Sequence, residues 1–122
     1  MSDKYEFMEE KMMIEDIQDY IKKYSGDIQN LFIDLRKLII QSVSCKVEEK
    51  LWAKLPSFYV GERFIRIIPF KDHINIEAKA IMEHNHQLEQ FKITPKGMLQ
   101  IYLNQDIPDD ILIEIFNKTL IG

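Results

Sequence analysis

Little in this chain could serve as a covalent or phosphate-binding device. It has one cysteine, Cys45, among 122 residues. An intramolecular disulfide and a four-cysteine zinc site are therefore excluded. Its four glycines are spread out, and Lys96-Gly97 reverses the order of a phosphate loop. No Gly-x-Ser-x-Gly nucleophile elbow occurs. Basic excess is also missing: 16 basic residues stand against 20 acidic ones, a net charge of −4. That balance argues against nucleic acid as a partner. Purely aliphatic runs stop at three residues, as at Leu38-Ile39-Ile40, against the ~20 that span a bilayer. The first ten residues lack the basic patch and apolar run of a signal peptide. A cytoplasmic protein with no membrane partner is the expectation.

What is present reads as one folded domain over residues 1–122. Hydrophobic residues make up 46% and charged residues 30%, an ordinary globular balance. The first third is helical in period. Met13, Ile17, Tyr20, Ile21 and Tyr24 form one apolar stripe. Ser25-Gly26-Asp27 breaks it and offers an N-cap. Ile28, Leu31, Phe32, Leu35, Leu38, Ile39 and Val43 then form a longer stripe, which should fade near Ser42 to Cys45.

From Glu48 the period changes to two. Residues 50–55 read as one alternating strand, continued by Phe58 to Val60 after Pro56. Gly61-Glu62 suits a two-residue hairpin turn. Strands are expected over Phe64–Phe70 and His73–Lys79. A tight turn at Lys71-Asp72 would set Phe70 opposite His73, Ile68 opposite Asn75 and Arg66 opposite Glu77. Ile65, Ile67, Ile74, Ile76 and Ala78 then share one apolar face. A short helix over 80–91 follows, with Ile81, Leu88 and His84 inward. Thr94-Pro95-Lys96-Gly97 suits a turn, Met98 to Leu103 a last strand, and Pro108 the start of a final helix. The expected fold is α+β: an antiparallel sheet with an N-terminal helix pair and a C-terminal helix on one face.

Three constellations could carry chemistry. On a helix His84 and His86 point about 200° apart and cannot chelate one ion, so a polar helix surface is expected there. Carboxylates cluster near the N-terminus, with Glu9, Asp16 and Asp19 as candidate ligands for a hard cation or ferrous iron. Interleaved lysines offer a plainer reading, a solvated face with an Asp19–Lys23 pair. The third is the second sheet face. Trp52, Phe64, Arg66, Ile68, Phe70, His73, Asn75, Glu77, Gln100 and Tyr102 should share it. Aromatic and arginine side chains mark interaction hot spots. Trp52, Arg66, His73, Glu77 and Tyr102 are the candidate partner-binding residues, unless another element covers them. Cys45 is expected to be a half-buried thiol without a catalytic role, and no catalytic residue is assigned.

The segment Val47-Glu48-Glu49-Lys50-Leu51-Trp52-Ala53-Lys54-Leu55-Pro56-Ser57-Phe58 resembles the opening signature of YdhG-like domains, small bacterial proteins of largely unknown function. Phe70-Lys71-Asp72-His73-Ile74 resembles their "Phe-Lys-x-His-Ile" hairpin. Thr94-Pro95-Lys96-Gly97-Met98-Leu99-Gln100 resembles their later turn and strand, and Ile107-Pro108 their C-terminal helix. Many members carry Tyr-Gly where this chain has Ala53-Lys54. The family is grouped with frataxin-like and YjbR-like α+β domains, some described as intracellular iron chaperones. The resemblance thus implies the same α+β fold and a non-enzymatic iron-handling or iron–sulfur assembly role, with iron as cofactor. The alternative is a protein-interaction or small-ligand module that works through the sheet face without metal. A monomer and a homodimer are both compatible with the sequence.

Overall fold

The computed structural model describes residues 13–122. Helix α1, Glu15–Ile21, buries Ile17 and Ile21. Helix α2, Gly26–Gln41, starts behind Ser25, whose Oγ accepts the Ile28 N–H at 3.3 Å. That satisfies one of the free donors of the first turn. The stripe from Ile28 to Ile39 is buried, and the helix stops at Gln41. Helix α3, Asp109–Leu120, buries Leu112, Ile115, Phe116 and Thr119. No helix among the described residues is long and apolar enough to cross a membrane.

Six antiparallel strands form one sheet. They are β1 Glu48–Trp52, β2 Leu55–Val60, β3 Arg63–Pro69, β4 His73–Ala78, β5 Lys92–Ile93 and β6 Leu99–Tyr102. Their order across the sheet is β1-β2-β3-β4-β6-β5. Arg66 pairs with Glu77 and Ile68 with Asn75. The Phe70 N–H donates to the His73 carbonyl at 2.8 Å. The expected register is therefore the observed one. It places Ile65, Ile67, Ile74, Ile76 and Ala78 on one buried face, which Phe58, Leu99 and Ile101 extend. Helices α2 and α3 lie against that face at β3 and β4. The fold is α+β, as expected.

Three local features differ from the sequence reading. Residues 50–55 are not one strand. Trp52 pairs with Leu55 across a two-residue loop, where Ala53 has φ +50° and Lys54 φ +65°. Two successive positive φ values belong to a type I′ turn, whose twist suits a tight hairpin. Neither residue is the Asn or Gly such turns prefer, so the alternation ran through the turn unmarked. The segment after β4 is a 3₁₀ helix, Lys79–Gln87, interrupted at His84. Finally, β5 is a two-residue edge strand for which 92–93 gives no periodic signal.

A buried ion pair ties the helix layer to the sheet. Arg36 of α2 donates to both carboxylate oxygens of Glu49 on β1, at 2.6 and 2.8 Å. The sequence reading placed Arg36 in no site, although it falls between Phe32 and Ile39 on the buried stripe.

Candidate functional site

The register builds the second sheet face row by row. Lys50, Ser57, Arg66 and Glu77 make one row across β1 to β4. Ile68, Asn75 and Gln100 make the next, and His73 and Tyr102 the one after. Tyr59 opposite Phe64 flanks the first row. All five residues expected to bind a partner are therefore on this face.

Arg66 is its centre. The residue is only 7% exposed. Its Nε donates to Ser57 Oγ at 3.2 Å and its Nη1 to Glu77 Oε1 at 3.1 Å. Its guanidinium lies between two rings, 4.2 Å from the Trp52 centroid and 3.9 Å from that of Phe64. Ser57 explains how. It is small and fully buried, so the indole of β1 reaches across β2 to a side chain on β3. Trp52 itself remains 52% exposed. It therefore covers the arginine with one surface and leaves much of the indole to solvent. Guanidinium–indole stacking at such a site contributes about 0.5–1 kcal/mol.

A second aromatic group occupies the other end of the face. Phe70 stacks on His73 with centroids 4.7 Å apart and planes 5° from parallel, and His73 stacks on Tyr102 at 4.6 Å. Lys92 lies over Tyr102 at 5.8 Å. His73 Nδ1 is 2.8 Å from Asp72 Oδ1. An ionised carboxylate only accepts, so Nδ1 carries the proton. That hydrogen bond, aided by the imidazole and Lys71 charges, holds the Asp72 carboxyl below its usual value.

Between the two groups stands Asn75, 8% exposed. Its Nδ2 is 4.0 Å from the Met98 sulfur. Its Oδ1 is the one buried side-chain oxygen or nitrogen among the described residues without a hydrogen-bond partner. An unmet buried acceptor costs about 1–3 kcal/mol. As an amide oxygen it is an acceptor, so an N–H or O–H that reached it would meet that unfilled capacity.

The other candidates fall elsewhere. Glu9 lies outside the described residues. Asp16 and Asp19 are exposed on α1, far in sequence from the sheet. Lys22 rather than Lys23 approaches Asp19, at 3.7 Å. No group of three or more His, Cys, Asp or Glu poised for a metal ion occurs among the described residues. His84 is buried and His86 exposed, so the two do point apart. His84 Nδ1 donates to the Ala80 carbonyl at 3.1 Å, in the inward position expected for it, and the polar surface expected at this pair is found at His86 alone. Cys45 is exposed, not half-buried, because it follows the end of α2 in the loop before β1.

No family model, curated protein or solved structure matches the chain. The YdhG-like likeness is thus one of the residues and motifs quoted above, and the functional reading turns on the geometry of the face.

Proposed function

We propose that this protein is a non-enzymatic binding module whose working surface is the second sheet face, with Trp52 as its anchor. The observation that carries this reading is the half-exposed indole laid over a buried, fully oriented Arg66. Exposed tryptophan on a preorganised support loses little rotamer freedom when a partner covers it. Arg66 is held by Ser57 and Glu77 before any partner arrives. The Phe70–His73–Tyr102 stack gives a second apolar contact, and Asn75 an acceptor between them. A protein partner suits a surface of this breadth, because its contact groups are spread across the sheet from Trp52 on β1 to Tyr102 on β6.

The iron-handling role implied by the YdhG-like resemblance would attach to Asp16 and Asp19 on α1. One oxygen of Asp19 already faces Lys22, and the geometry offers that reading less than it offers the sheet face.

The test separates the two surfaces. A photoreactive phenylalanine analogue at position 70 should cross-link a partner in cells, and the Trp52→Ala variant should lose that product. The double variant Asp16→Asn, Asp19→Asn should keep it. A product unaffected by Trp52→Ala, in a variant that remains folded, would overturn the proposal.

A further inference from the structure

A cavity of about 700 Å³ opens at the end of the sheet where β3 begins and β4 finishes. The Gly61-Glu62 turn, the 3₁₀ helix, the Lys96-Gly97 turn and the end of α3 enclose it. Its volume is within the roughly 300–1,000 Å³ of small-molecule sites. Its walls carry both signs of charge: Glu62, Glu77 and Glu83 against Arg63, Lys79, Lys96 and Lys118. Among the described residues, two of these seven are in ion pairs, Glu77 with Arg66 and Lys118 with Glu114, both partners outside the cavity. Phe64 and the exposed Met82 supply an apolar wall. A polyanion would meet three carboxylates here, and a plain amine four cations. A ligand bearing one charge of each sign and an apolar body meets both.

Glu77 also joins this cavity to the sheet face. Its Oε1 accepts from Arg66 at 3.1 Å, and its side chain is still 36% exposed. A ligand ammonium at Glu77 competes with that guanidinium. Arg66 in turn stacks beneath Trp52. Phe64 repeats the link, since it lines the cavity and packs on Arg66.

We propose that the cavity binds a zwitterion of dipeptide size, its ammonium at Glu77 and its carboxylate among the opposing cations, and that occupancy is relayed through Arg66 to Trp52. The relay rests on the reading of the sheet face as the working surface. The ligand site does not. By linkage, a partner on Trp52 changes ligand affinity by the factor that ligand changes partner affinity.

The probe is the dipeptide Gly-Phe, titrated into the ¹⁵N-labelled full chain with Trp52 fluorescence followed in parallel. Saturable shifts at the Ala80 and Gly97 amides are expected below ~1 mM ligand, with the same midpoint in the fluorescence of Trp52, the only tryptophan. N-acetyl-Gly-Phe and Gly-Phe amide should each bind about tenfold more weakly, as should the Glu77→Gln variant. Lys79→Gln, at an exposed position away from Arg66, should weaken binding while leaving the fluorescence of the free protein unchanged. Absence of saturable shifts up to ~10 mM would overturn the site. Equal binding of the blocked dipeptides would overturn the zwitterion. Shifts at Ala80 and Gly97 with silent Trp52 fluorescence would overturn the relay. None of these results bears on partner cross-linking at Phe70, so the two readings fail separately.

Discussion

The two faces of the sheet are built from the same strands in strict alternation, yet they follow different rules. The face under α2 and α3 is aliphatic: Ile65, Ile67, Ile74, Ile76, Leu99 and Ile101 are all fully buried. The opposite face is aromatic and charged, and each of its cations is paired or laid on a ring. The first face gains from removing area from water, about 25 cal/mol per Å². The second gains its order from hydrogen bonds and stacking that leave the outer surfaces of Trp52 and Phe70 wet. One face holds the fold, and the other presents oriented groups at low cost to stability.

Substitutions on each side sharpen that contrast. Ile67→Ala should cost about 3 kcal/mol, since it leaves a hole in a close-packed layer. Trp52→Ala should cost no more than about 1 kcal/mol. Chemical denaturation of both variants checks the pair, and equal losses would erase the distinction between the faces. Glu49→Gln is expected to approach the core substitution, at about 3 kcal/mol, because it removes the carboxylate charge that accepts two hydrogen bonds from the buried Arg36. A smaller effect of opposite sign is expected at the turn beside Trp52. Lys54→Gly should stabilise by about 0.5–1 kcal/mol, relieving the left-handed backbone of a residue with a Cβ.

The smallest effect is one of pH. Burial, with the Tyr24 hydroxyl beside it, pushes the Tyr20 phenol up to about 12. Its ordinary value is near 10. The folded state holds this proton more tightly than the unfolded chain does. Its contribution is therefore complete below pH 10 and is lost as pH rises toward 12. An ultraviolet titration should show a tyrosine ionisation near pH 12, and Tyr20→Phe should remove it. Tyr24→Phe should bring that step down.

The register and both faces were legible because the strand period is two and the hairpin at Lys71-Asp72 is short. Once Phe70 faces His73, every other assignment on β3 and β4 follows. The serine cap of α2 and the Thr94-to-Gly97 turn, closed by the Gly97 N–H donating to the Thr94 carbonyl at 2.8 Å, were legible from local chemistry. The Ala53-Lys54 turn was not, because both residues lie outside the usual turn vocabulary and continue the alternation. The five sheet-face candidates were found by alternation alone. The role of Ser57 was not, since its importance is its smallness under Trp52. The cavity was also hidden, because its walls come from four separate stretches of chain.

Acrylamide quenching of the single tryptophan tests the central claim most directly. If the sheet face is open, Trp52 should quench nearly as efficiently as a free indole in the folded chain, with little further gain on unfolding. Quenching as weak as that of a core indole, rising sharply on unfolding, would show the face to be covered and would contradict its role as the working surface.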